Sequence, residues 1–93
     1  MPHRLDPLLP LANKKRSVCI GHLKTSISLE DVFWEHFLTI AKDLGMTKQA
    51  LLQEISQDKS DNISLSGAVR VFAMKDALKT IERLKAANHT VAA

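Results

Sequence analysis

TSISLEDVFWEHFLTIAKDLGMTKQALLQEI, residues 25–55, changes its hydrophobic period once, from two to about 3.6. Thr25, Ile27 and Leu29 fall on one side of an extended segment, and Lys24, Ser26 and Ser28 on the other. That alternation predicts a half-buried strand. From residue 30 the spacing lengthens: Phe33, Phe37, Ile40 and Leu44 recur at helical intervals, with Trp34, Leu38 and Ala41 widening the stripe. A helix over 30–44 follows. Ser28 stands three residues before Asp31, a capping-box-like spacing, and Glu30, Asp31 and Glu35 complement the positive helix start. Gly45 ends the helix in the position that favours a left-handed residue. Thr47 then caps a second helix, whose apolar positions are Leu51, Leu52 and Ile55.

Upstream, RSVCIGHLK (16–24) is rich in strand-forming residues but carries its apolar residues in the other phase, at Val18 and Ile20. Gly21 lies between the two phases, where a bulge, a break or a turn is required. Downstream, QDKSDN (57–62) is a polar loop. Ser64 or Ser66 caps a third helix through Ala68, Val69, Val71, Phe72 and Met74, reaching Ala87. Its first half is apolar nearly all round, which predicts burial on several sides; Leu78, Ile81 and Leu84 leave a narrower stripe beyond. Residues 1–13 hold all three prolines and read as a flexible segment, 14–87 as one domain, and 88–93 as a frayed tail.

The fold class is therefore mostly α with one short strand. A lone strand needs a partner for its backbone groups. The simplest partner is the same strand of a second copy, giving an antiparallel ribbon about a two-fold axis. Ile27 and Leu29 would lie on the helices, and Lys24, Ser26 and Ser28 would face solvent. Pairing of 16–20 with 24–29 inside one chain is the alternative. A donor-rich ribbon face suits the DNA major groove.

Composition bounds the rest. At 93 residues the chain is one small domain, too short for a two-domain enzyme or a full nucleotide-binding sheet. With 45% hydrophobic and 4% aromatic residues, it must build an aliphatic core. So small a domain is marginal alone, and a partner subunit would help. Net charge is +3 but uneven: residues 1–29 carry net +4, residues 30–63 net −4, and residues 64–93 net +3. A basic front of that kind meets a polyanion or is simply solvated. The single cysteine, Cys19, permits no intramolecular disulfide, which fits a reducing, cytoplasmic setting. No apolar run approaches the ~20 residues of a membrane span.

Residues 25–55 resemble the ribbon-helix-helix family: an alternating strand ending at Leu29, an acidic helix start at Glu30-Asp31, an apolar helix, the Gly45 turn and the Thr47-capped second helix. The wider stretches KRSVCIGHLKTSISLEDVFW and NISLSGAVRVFAMK are similar to short bacterial members with an extra C-terminal helix. The resemblance implies a homodimeric, cytoplasmic transcriptional regulator that binds double-stranded DNA. It implies base contacts from Lys24, Ser26 and Ser28, and phosphate contacts from Thr47 and Lys48. The arm Lys14, Lys15 and Arg16 adds phosphate contacts.

Other candidates carry less. Cys19 and His22 have a Cys-x2-His spacing, half of a metal site at most, so no metal or other cofactor is expected. No cluster suited to nucleophilic or acid–base catalysis is present, so the chain reads as a non-enzyme. The alternative function is a protein-interaction module, antitoxin-like or structural, in which the C-terminal helix grips a protein partner.

Overall fold

The computed structural model of the protein describes residues 13–92, with side chains through Asn88. Two eight-residue strands, β1 (Asn13–Ile20) and β2 (Leu23–Glu30), form an antiparallel hairpin. Gly21 and His22 make its two-residue turn. Gly21 has φ +61° and His22 has no positive φ, the pattern of a type II′ turn with glycine first. The register pairs Val18 with Thr25, Arg16 with Ile27 and Lys14 with Leu29. Even positions of β1 thus share a face with odd positions of β2. The phase change across Gly21 is the parity that a two-residue turn imposes.

The single-strand reading is corrected by this hairpin: the partner of residues 24–29 lies upstream in the same chain. Residue 13, read as part of a flexible segment, is the first residue of β1; residues 1–12 lie outside the described residues.

Three helices follow: α1 (Asp31–Leu44), α2 (Lys48–Asp58) and α3 (Leu65–Ala92). Glu30 is the N-cap of α1 and makes no side-chain cap bond, so the expected Ser28–Asp31 capping box does not form; Ser28 remains in the strand. Gly45, at φ +70°, closes α1. Its N–H donates to Lys42 O and the Met46 N–H to Ala41 O, a Schellman arrangement. The Thr47 hydroxyl accepts from the Ala50 N–H at 3.1 Å and caps α2 as predicted. Ser64 caps α3 by accepting from the Gly67 N–H at 3.0 Å.

The core joins one face of the hairpin to all three helices. Val18, Ile27 and Leu29 pack with Phe37, Ile40 and Ala41 of α1, Leu51, Leu52 and Ile55 of α2, and Ala68 and Val69 of α3. Only one side of α3 reaches this core. Val71 and Met74 are about half exposed, so the burial on several sides expected of its first half does not hold, and Leu78, Ile81 and Leu84 continue the exposed row. The described residues place neighbours on a single side of that helix.

Beneath the hairpin, Arg16 is largely buried. Its Nη2 donates to Asp31 Oδ1 at 2.6 Å and to Leu29 O at 3.0 Å. Its guanidinium lies 5.0 Å from the centroid of the Trp34 ring, which stacks on Phe37. Lys14 Nζ donates to the other Asp31 oxygen at 2.8 Å. These bonds from Lys14 and Arg16 hold the Asp31 carboxyl below its ordinary pKa. Across the hairpin, Arg70 of α3 donates from Nε to Glu30 Oε1 at 2.9 Å, and that bond holds the Glu30 carboxyl low too.

Two outcomes follow. Gly21→Val forces a β-branched residue into the left-handed region and should cost about 1–2 kcal/mol in urea unfolding; an unchanged midpoint would contradict the type II′ turn. Asp31 binds its proton more weakly folded than unfolded. Its stabilising contribution is therefore present above the ordinary carboxylate pKa of ~4 and is lost as pH falls through the lower folded value. Asp31→Asn should flatten the loss of stability below about pH 4, measured by urea unfolding from pH 7 to pH 3. An acid limb identical to that of the unsubstituted protein would remove the Lys14–Asp31–Arg16 pairing from the account.

Candidate nucleic-acid interface

Directly opposed residues of an antiparallel pair project to the same face. The core-facing set, Lys14, Arg16, Val18, Thr25, Ile27 and Leu29, leaves the opposite face to Lys15 with Ser28, Ser17 with Ser26, and Cys19 with Lys24. Lys15, Ser17, Lys24, Ser26 and Ser28 are exposed, and Cys19 is half-buried. The outward orientation of Lys24, Ser26 and Ser28 agrees with the alternation read in the sequence. Ser17 was missed there, because a strand without a partner offers no second row of outward residues.

The basic tract is divided by the same alternation. Lys14 and Arg16 turn toward Asp31, whereas Lys15 turns outward and has no ionic or hydrogen-bonding partner among the described residues. Lys24 likewise has none. The three arm residues thus do not form one basic surface: one is outward and free, one is exposed but paired, and one is built into the fold.

At the far edge of β2, the Ser28 N–H donates to Ser66 Oγ at 3.2 Å, and Arg70 Nη2 lies 3.4 Å from Ser28 O. The main-chain groups of Ser28 therefore point away from β1. By the alternation of an antiparallel ladder, those of Ser26 and Lys24 do so as well. Helix α3 thus covers this edge where β2 meets α1.

The first turn of α2 borders the hairpin. An open groove of about 530 Å³ is shared by Ser17, Lys24 and Ser26 of the strands and by Lys48 and Gln49 of the helix. Thr47 spends its hydroxyl on the Ala50 N–H, and its carbonyl accepts from the Leu51 N–H at 3.1 Å. The N–H groups of Lys48 and Gln49 precede the first intrahelical donor, and the helix dipole adds partial positive charge there. Lys48 Nζ lies 5.9 Å from the Trp34 ring centroid, on an indole that also carries Arg16. Of the positions singled out in the sequence, Lys24, Ser26 and Lys48 are thereby brought to one groove, whereas Ser28, Thr47 and the arm Lys14, Lys15 and Arg16 do not line it.

The remaining candidates are placed elsewhere. His36 Nε2 lies 3.1 Å from Asp76 Oδ2 and joins α1 to α3. Among the described residues, no group of three His, Cys, Asp or Glu side chains is arranged to hold a metal ion. No helix among them is long and apolar enough to cross a membrane.

Comparison with known proteins agrees with this architecture. A family model described as a ribbon-helix-helix domain matches residues 13–77, more than two thirds of the chain. No curated protein and no solved structure gives a match. The match begins at the first residue of β1 and ends within α3, covering both strands, α1 and α2. The chain belongs to the ribbon-helix-helix domain family.

Proposed function

We propose that the protein is a cytoplasmic transcriptional regulator that lays its β-ribbon in the major groove of double-stranded DNA and works as a homodimer. Ribbon-helix-helix domains are in general non-enzymatic DNA-binding modules of regulators. The observation that carries the reading is the groove in which the outward face of the ribbon meets the start of α2. Lys24, Ser26 and Ser28 supply donors and acceptors to base edges; lysine can donate to guanine O6 and N7, and serine serves either edge. The free N–H groups of Lys48 and Gln49, with the Lys48 ammonium, receive a backbone phosphate. Thr47 supports that site by capping the helix. Lys14 and Arg16, paired with Asp31, contribute to the field around the site more than to direct phosphate contact.

The homodimer does not need β2 to find a strand in a second copy, since β1 already pairs with it. The face that suits a second copy is α3, where Val71, Met74, Leu78 and Ile81 repeat at alternating steps of three and four, as in a coiled-coil seam. This stripe is also what favours the interaction-module reading, with a different protein on the same helix.

DNA affinity should fall steeply with salt. If a dimer neutralises about six phosphates, the log–log slope is about −5; titration of a labelled duplex across a salt series measures it. A slope near zero would contradict DNA binding through this basic surface. Light scattering should give a mass near twice the 10.3 kDa of one chain, and a Leu78→Glu, Ile81→Glu double variant should be a folded monomer by the same measurement. A monomeric parent protein would remove the homodimer. A variant that remains dimeric would move the interface away from α3.

A further inference from the structure

We infer that the α3 helices of two copies pair antiparallel, the outer half of each seated against an apolar hollow on the inner half of the other. The inference rests on the homodimer reading and adds to it the direction and register of the contact.

Helix α3 has two unlike halves. Its inner half is held on the core by Ala68, Val69 and Ala73, which are buried. From Ile81 to Asn88 every residue is exposed, so the outer half projects from the body without support among the described residues. A helical segment of that length is marginal in water unless an apolar face is covered. The row Val71, Met74, Leu78 and Ile81 lies on the side of the helix opposite Val69 and Phe72, at 100° per residue. Beside the inner part of this row is an open apolar hollow of about 320 Å³, lined by Phe33, Arg70, Val71, Met74 and Lys75. On the outer half Ile81 and Leu84 stand free as apolar projections. A hollow on one half and projections on the other are self-complementary, and a two-fold axis across the helix satisfies both at once.

The register follows from the row. With Met74 on the partner's Leu78, Val71 meets the partner's Ile81, and every layer of the seam is apolar. The next layer sets Lys85 against the partner's Gly67, where no side chain opposes the lysine stem. Beside the seam Lys75 lies next to the partner's Glu82, and the symmetry repeats the pair. Neither Lys75 nor Glu82 has an ionic or hydrogen-bonding partner among the described residues. A parallel pair built on the same row would stack Lys85 on the partner's Lys85 within the seam. It would also bring Arg70 beside the partner's Lys75 and set hollow against hollow. Charges flanking a helical seam decide orientation in this way.

The test uses the full chain in a Cys19→Ser background, with Val71→Cys and Ile81→Cys made separately and circular dichroism as the check on folding. In the antiparallel pair, residue 71 of one copy lies about 15 Å along the helix from residue 71 of the other, and the same holds for residue 81. At a concentration where light scattering shows the dimer, mild oxidation should leave each variant alone un-cross-linked. An equimolar mixture, combined while reduced, should give a two-chain species whose intact mass contains one copy of each variant. Charge reversal gives a second readout, the dimer dissociation constant by sedimentation equilibrium. Lys75→Glu should weaken the dimer about 5- to 30-fold, and adding Glu82→Lys should restore it. Self-cross-linking of Val71→Cys, or tighter association of Lys75→Glu, would show a parallel pair and overturn the inference while the homodimer stands. A dimeric parent whose variants cross-link neither alone nor in the mixture would place the interface elsewhere and overturn it as well. A monomeric parent would remove the homodimer and the inference together.

Discussion

A strand whose backbone groups are unpaired is not a stable element, and in this chain the partner of β2 is β1. The rest of the architecture depends on that pairing. The type II′ turn at Gly21-His22 sets the register, and the register decides which residues are buried. Val18, Ile27 and Leu29 enter the core as a set and seat the hairpin on Phe37, Leu52 and Val69. A slip of one residue would exchange that apolar set for the serines and the outward lysines. The remaining edge of β2 is covered at Ser28 by Ser66 and Arg70 of α3. The third helix thus has a structural duty toward the ribbon besides its place in the core.

Electrostatics divides the basic arm in a way that net charge conceals. Arg16 and Lys14 share one carboxylate, Asp31, and Arg16 also rests on Trp34. Charge-assisted hydrogen bonds of this type are roughly twice as strong as neutral ones, and a guanidinium beside an indole adds ~0.5–2 kcal/mol. The arrangement has one cost: Arg16 Nε is buried without a hydrogen-bond partner. Lys15, one residue away from each, turns to the other face. Alternation along a strand has separated a cation that holds the fold together from one that is free to meet a ligand.

The helices and their ends were legible because their signals are local. The Gly45 terminus and the Thr47 cap need only neighbouring residues, and both occur as read. The outward row Lys24, Ser26 and Ser28 was legible for the same reason, since period two requires no knowledge of tertiary structure. The partner of β2 was harder. The phase shift between Val18-Ile20 and Ile27-Leu29 looks like an interruption of one strand, yet two apolar runs separated by Gly-His are also the signal of a hairpin. Once β1 was not paired, Ser17 carried no meaning, and the tract Lys14 to Arg16 appeared to be a single basic patch. The role of Arg16 depends on its position opposite Ile27, a non-local fact. The exposure of Val71 and Met74 on α3 was not legible, because helical periodicity marks which residues are apolar, and the packing of neighbours decides which of them are covered.

The register of the hairpin within one chain is the claim on which the rest stands, and a paired-cysteine variant addresses it directly. In a Cys19→Ser background, Ser17→Cys and Ser26→Cys place two thiols on opposed residues of a non-hydrogen-bonded pair, the geometry in which side chains approach closely. After mild oxidation at low protein concentration, intact mass and non-reducing electrophoresis should show a cross-linked species of one chain with no free thiol. A cross-linked species of two chains joined through residue 26, with residue 17 still reactive to a thiol reagent, would show that β2 pairs with its own copy and would contradict the account.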